Sequence, residues 1–204
     1  MSASSDERRV PAAEGRSEIR ERASRFFGFA LRAGSREDAE AALARLRREH
    51  HDATHVAFAW KIGAPPAQAA RASDDGEPAG TAGKPIAAAI DSSGLTDVIA
   101  AVVRHFGGTK LGTGGLARAY RSAARLALEA SGSVTIYETA LVEITGSYAA
   151  MGAARRLLDP PAVRLESERF TPGPVLELAV RTSRLPALLS ALEEARLEFR
   201  VRTG

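Results

Sequence analysis

The sequence predicts an α+β protein of two domains. Three observations carry this. Short apolar runs alternate with segments of helical spacing along most of the 204 residues. Two glycine-rich blocks fall in the first two-thirds of the chain. The last third has its own βαββαβ order, the split-βαβ or ferredoxin-like arrangement.

Residues 1–17 are polar, charged and unperiodic, and are expected to be a disordered tail. Residues 25–32 (RFFGFALR) read as a strand. Ser35-Arg-Glu-Asp38 is a capping-box pattern. It opens a helix with Ala39, Ala42, Leu43 and Leu46 on one stripe, ending near His50 and His51. Residues 55–63 (HVAFAWKIG) are a short apolar strand with Trp60 in the core. Residues 64–85 contain Pro65-Pro66 and an acidic, glycine-dotted stretch. They read as a long loop, a kind often functional in a compact domain. A small helix is expected from near Pro85 over residues 86–90, with proline in its first turn. Residues 97–106 are a buried strand and 107–115 a loop. Residues 116–130 are a helix carrying Leu116, Tyr120, Ala123, Ala127 and Ala130 at helical spacing. A strand over 134–137 closes a first domain of residues 18–137.

The second domain covers residues 138–204. Ala140, Val142 and Ile144 mark a strand, and residues 147–158 a helix broken by Asp159-Pro160-Pro161. Residues 163–170 and 175–180 are strands joined by Thr171-Pro-Gly-Pro. Ser183 caps a helix bearing Leu185, Leu188, Leu189 and Leu192, and residues 199–202 are the last strand. This domain has no histidine and no glycine-rich loop, so it is expected to bind or brace rather than catalyse.

Composition excludes several classes. There is no cysteine, hence no disulfide and no thiolate metal site. No apolar run reaches the roughly 18 residues of a membrane helix, and the N-terminus has no secretory h-region. A cytoplasmic protein without membrane contact is expected. Net charge is +3, which permits nucleic-acid binding without requiring it. Of the 28 basic residues only Lys61, Lys84 and Lys110 are lysines, and two of the three lie in the glycine blocks.

The blocks hold eight of the 18 glycines: Gly76, Gly80 and Gly83 in the first, Gly107, Gly108, Gly112, Gly114 and Gly115 in the second. Glycine costs backbone entropy, so clustering it implies a use, such as free backbone N–H groups or close approach of a ligand. The second block runs from a strand into a helix N-terminus, a geometry that suits phosphate or carboxylate. Lys110, Arg104, Arg118 and Arg121 add cationic donors around it. Neither block is a P-loop or a dinucleotide fingerprint. Asp74, Asp75 and Glu77 read more readily as loop caps and arginine partners than as Mg²⁺ ligands. His51 and His55 lack a third metal ligand, and His105 is a strand-end histidine beside the loop. No metal, cofactor or catalytic residue is expected.

Residues 73–85 (SDDGEPAGTAGKP) followed by 102–120 (VVRHFGGTKLGTGGLARAY) closely resemble the YigZ/IMPACT family in order and spacing. Arg25-Phe26, His51, His55 and Ala59-Trp60 resemble its N-terminal pattern. Position 105 departs from it, since relatives commonly carry an aromatic there. The resemblance implies that the first domain is similar to the second domain of ribosomal protein S5. It implies that the second domain is similar to a ferredoxin-like domain of elongation factor G. Both parent folds work on the ribosome. A non-enzymatic, translation-associated regulator binding RNA or the ribosome is therefore expected, without DNA specificity, and a protein partner is the other candidate. A phosphate- or nucleotide-binding enzyme is the alternative function. The expected binding residues are Asp74, Asp75, Glu77, Thr81, Lys84, Arg104, His105, Gly107, Gly108, Lys110, Gly112, Thr113, Gly114, Gly115, Arg118 and Tyr120.

Overall fold

A computed structural model describes residues 6–170 and 172–202. The chain divides into two mixed α/β units. One holds residues 8–135, the other residues 136–202 together with 6–7. The boundary falls two residues from the one the sequence predicts.

The larger unit is built on a five-stranded antiparallel sheet. Its strands are β2 (Gly15–Glu21), β3 (Ser24–Arg32), β4 (His55–Ile62), β5 (Ala69–Ser73) and β6 (Val98–His105), in the order β2-β3-β6-β4-β5. Period-2 alternation sends side chains to two faces. Phe29, Val56, Phe58, Trp60, Ile99, Ala101 and Val103 pack against helix α1 (Arg36–Glu49) on one face. Phe26, Ala30, Ala57, Ala59, Ala100 and Val102 pack against α2 (Gly83–Ser93) and α3 (Gly112–Ala130) on the other. The central strand β6 meets helices on both faces, which is why it reads as one continuous apolar run. The capping box at Ser35 is present: Asp38 N–H donates to Ser35 Oγ, and Ser35 N–H donates to Asp38.

Three expectations fail here. Residues 1–5 of the expected tail lie outside the described residues, but the rest is structured. β1 (Glu7–Pro11) pairs with β7 (Ser133–Tyr137), and β2 pairs with β3 in register from Gly15↔Ala30 to Glu21↔Ser24. Val10 is fully buried. β2 is an edge strand, and edges carry charged side chains, so RSEIRE looks like a solvated tail. The segment 64–85 is not a loop throughout: it contains β5, an exposed alanine-rich edge strand with weak β-propensity, and α2 begins at Gly83. Helix α3 begins at Gly112, four residues before the first apolar position, because glycines hide a helix start from propensity.

The second unit has β8 (Thr139–Thr145), α4 (Tyr148–Arg155), β9 (Val163–Arg169), β10 (Val175–Arg181), α5 (Leu185–Glu194) and β11 (Glu198–Arg202). The element order is the expected βαββαβ, and its antiparallel sheet runs β11-β8-β10-β9. Val142, Ile144, Leu176, Leu178 and Val180 pack against Met151, Ala154, Leu188 and Leu192 of the helices. Ser183 does not cap α5. It sits in a 3-10 turn (Thr182–Arg184), and its hydroxyl donates to Asp6 at 2.5 Å. Thr171 lies outside the described residues. Among the described residues no helix is long and apolar enough to cross a membrane.

Candidate functional site

The two glycine blocks converge on one cavity of about 400 Å³. Thr54, His55, Glu77, Pro78, Arg104, Phe106, Lys110, Leu111, Gly112, Thr113 and Leu116 line it. Antiparallel register brings it together: His55 at the start of β4 lies opposite Arg104 near the end of β6. The chain then turns through Phe106 and the glycines into α3.

The first block forms a densely hydrogen-bonded wall. Asp74 accepts N–H bonds from Gly80, Ala82 and Gly83 at 2.8, 2.9 and 2.8 Å. It thereby caps α2, whose N-cap position carries no side-chain cap of its own. Burial pushes the Asp74 carboxyl up, but the three N–H donors outweigh that and hold it below the usual carboxylate range. Asp75 takes Val56 N–H at 2.7 Å and Arg47 at 2.8 Å, and its carbonyl accepts from His55 Nδ1 at 2.7 Å. Thr81 is buried, its hydroxyl donating to Pro78 O. Gly83 lies against the Ser73 backbone, with a Cβ there only 2.7 Å from it.

Glu77 is the floor. Its Oε1 accepts from Arg104 Nη1 at 2.6 Å and from the Tyr120 hydroxyl at 2.7 Å. All three side chains are buried. Tyr120 is pushed far above the ordinary phenol range, first by burial and then by its bond to Glu77. The Arg104 guanidinium lies between Phe26 and Phe106, 5.4 and 5.2 Å from their rings. Ser24 Oγ accepts from Arg104 Nη2 and from Gly107 N–H, both at 3.3 Å.

The second block forms the open wall. α3 has no side-chain cap and no acidic residue in its first turn. The first N–H groups of a helix have no intrahelical partner, so the positive end of α3 faces the cavity through Gly112 and Thr113. Lys110 is exposed on the rim, and Arg22 donates to its carbonyl at 3.0 Å. Gly108 and Gly112 have φ of 88° and 70° with open space around them, backbone that glycine adopts freely. Arg118 is exposed, its guanidinium beside Gly114 in the first turn of α3, and Gly115 is half-buried.

The structure thus sorts the sequence-predicted residues. Glu77, Arg104, Lys110, Gly112 and Thr113 line the cavity. Asp74, Asp75, Thr81 and Tyr120 do not line it, and their polar side-chain atoms are hydrogen-bonded within the wall and floor. Lys84, exposed in the first turn of α2, lies outside the cavity lining. His105 does not line the cavity either. Alternation along β6 turns it to the opposite face of the sheet, edge-on to Phe27 at 5.7 Å and beside His50. Sequence reasoning missed His55 and Phe106. His55 is pinned by Asp75, with Nε2 3.9 Å from Glu77. Phe106 is 44% exposed, and an exposed aromatic next to a glycine block was the available signal. Among the described residues no group of three His, Asp or Glu could hold a metal ion.

The sequence of residues 22–128 matches the model of the Impact N-terminal domain. This chain belongs to the YigZ/IMPACT family. An IMPACT family member of Haemophilus influenzae is 36% identical over 172 residues, 84% of each chain. The IMPACT family member YigZ of Escherichia coli is 47% identical over 106 residues, 52% of each chain. Among solved structures, a crystal structure described as a hypothetical protein matches 98% of both chains with a TM-score of 0.70 and 28% identity. The correspondence extends over both units, so the two-unit architecture is shared with that protein.

Proposed function

We propose that this protein is a non-enzymatic, translation-associated regulator that binds RNA or the ribosome through the glycine-rich, basic surface at the α3 N-terminus. One observation carries the reading. α2, begun in the first glycine block, is capped by Asp74, whereas α3, begun in the second, is left uncapped at the mouth of a cavity with Lys110 on its rim. An open helix N-terminus with flanking cations suits phosphate, and exposed Phe106 offers a stacking face for a base. Family membership supports the translational setting through the ribosomal likeness of its two parent folds. The sheet order and βαββαβ connection of the second unit support the ferredoxin-like reading. The S5-like reading of the first unit rests on the family resemblance. A cytoplasmic location and absence of DNA specificity belong to the same proposal.

Filter binding with ribosomal and transfer RNA tests it. Phosphate contacts give an affinity that falls with salt. Lys110→Ala with Arg118→Ala is expected to weaken binding and to flatten the slope of log K against log salt by about 1.4, roughly 0.7 per lost single-strand contact. Absence of any salt-sensitive affinity in the unmutated protein sinks the reading. Capture of a protein that survives RNase replaces it with a protein partner.

The cavity volume also suits a nucleotide, which keeps the enzyme reading testable. Asp74 and Asp75 already accept N–H and guanidinium donors, so Mg²⁺ finds few free carboxylates there. A thermal-shift screen with nucleotides and Mg²⁺ decides, since a bound ligand raises the midpoint; no shift with any nucleotide counts against an enzyme.

A further inference from the structure

The second unit carries a two-tier charge array on the face of its sheet that the helices do not cover. Val142, Ile144, Leu176, Leu178 and Val180 point to the helices, so the residues between them point away. Register places Glu143 opposite Glu177 on β10 and opposite Arg200 on β11. Arg202 shares that face from β11, and Arg164 and Arg169 share it from β9. Glu143 and Glu177 therefore sit on the two central strands, and Arg164, Arg169, Arg200 and Arg202 on the two edge strands.

Like charges directly opposed on antiparallel strands repel. Here the arginines bridge them. Arg169 donates to Glu143 at 3.0 Å, Arg202 reaches Glu143 at 3.4 Å and Glu177 at 3.7 Å, and Ser167 donates to Glu177 at 3.0 Å. The carboxylates lie low, with 14% and 17% of their side chains exposed, while Arg169 and Arg202 are each 52% exposed. Arg169 first, then Arg202 and Arg200, hold the Glu143 carboxyl below its usual range against the effect of burial. Arg164 pairs with Glu166 at the bulge of β9, and Glu198 is the exposed carboxylate at one end of the face.

The outer tier is thus mostly guanidinium, with Glu166 and Glu198 as its exposed carboxylates. Each guanidinium presents five N–H donors, only part of them used by the glutamates beneath. Anchoring also removes part of the rotamer freedom an arginine loses on binding. The apolar side chains within the sheet face, Leu141, Val175 and Ala179, are half-buried or buried, and the aromatic at its end, Tyr137, is stacked on by the Arg181 guanidinium, 3.4 Å from its ring, so the face lacks the free projecting aromatic anchor typical of protein interfaces. We propose that this arginine face is a second nucleic-acid surface, whose ligand is the phosphate backbone of RNA. The proposal rests on the RNA reading above and gives the second unit a role.

The test uses the full chain with Arg164→Gln and Arg200→Gln combined, two arginines other than the Arg169 and Arg202 that form the ion pairs to Glu143 and Glu177. Filter binding to polyuridylate across a salt series is expected to show weaker binding and a slope flatter by about 1.4. Unchanged affinity and slope in a folded double variant overturn the proposal. A second measurement avoids the fold question. In unmutated protein, dicarbonyl modification of Arg164 and Arg200 is expected to slow when polyuridylate is added. No protection, or protection by RNA-free lysate protein alone, overturns it. If the unmutated chain binds no RNA at any salt, the reading at α3 fails as well. If it binds RNA and only Lys110→Ala with Arg118→Ala weakens it, this proposal alone fails.

Discussion

Glu77 is the residue on which the two glycine blocks meet. It joins Arg104 of β6 to Tyr120 of α3 beneath the cavity, with all three side chains buried. Breaking one partner of a buried ion pair costs about 3–5 kcal/mol, because the other charge is left uncompensated. Glu77→Gln keeps the shape and removes the charge beside Arg104. It is expected to destabilise the larger unit by about 3 kcal/mol. Tyr120→Phe removes one hydrogen bond to a charged group and is expected to cost about 1.5–3 kcal/mol. Denaturant unfolding measures both; a loss below ~0.5 kcal/mol for Glu77→Gln would falsify the view of Glu77 as the structural centre of the floor. The acidic residues of the first block were legible as loop caps and arginine partners. Which of them did which was not, since that depends on where residues 47, 56, 82 and 104 arrive in space.

Elements explain why the glycines look alike in sequence and differ in duty. A Cβ on Gly107 meets the backbone oxygen of Ala23 at 1.9 Å, whereas Gly108 has open space and φ of 88°. Gly107→Ala is expected to cost about 1–3 kcal/mol through overpacking against backbone that cannot turn aside. Gly108→Ala is expected to cost roughly 1 kcal/mol, from strain at positive φ alone. Thermal or urea unfolding ranks them, and equal losses contradict this division. The helix starts show the same contrast. α1 announced itself through Ser35 and Asp38, because a capping box is local chemistry. α2 begins two residues before the start its sequence predicts and α3 four residues before: Asp74 caps α2 across a loop, and α3 starts on glycines with no cap. Strand β2 escaped notice because it lies at an edge, where charge is expected and apolar alternation is not.

At the scale of the whole molecule, Glu14, Asp74 and Glu143 are carboxyls held below their ordinary range. In Asp74 burial raises the pKa, but three N–H groups outweigh it; in Glu14 burial is likewise outweighed, by bonds from Arg45 and Arg16. In Glu143 the bond from Arg169 comes first. A carboxyl with a depressed folded pKa binds protons more weakly folded than unfolded. Its stabilisation is therefore full above the ordinary range near pH 4 and is lost as pH falls through the lower folded value. The thermal midpoint is expected to be level from pH 7 to about 5 and to drop below about 4. High salt is expected to reduce the part due to Glu14 and Glu143, whose partners are partly exposed arginines, and to spare Asp74, whose donors are backbone N–H groups. An acid drop abolished by salt in Asp74→Asn and in the unmutated chain alike refutes the separate Asp74 contribution. The two-unit plan, the βαββαβ order and the buried central strand were determined by the sequence itself, because periodicity, turn chemistry and composition are properties of neighbours along the chain. Only the tertiary structure decided that Asp74 closes one helix while the other stays open, that Arg104 and His105 part to opposite faces, and that arginines of β9 and β11 stand over Glu143 and Glu177. These depend on register and on which distant backbone groups meet, and register exists only once the sheets have formed.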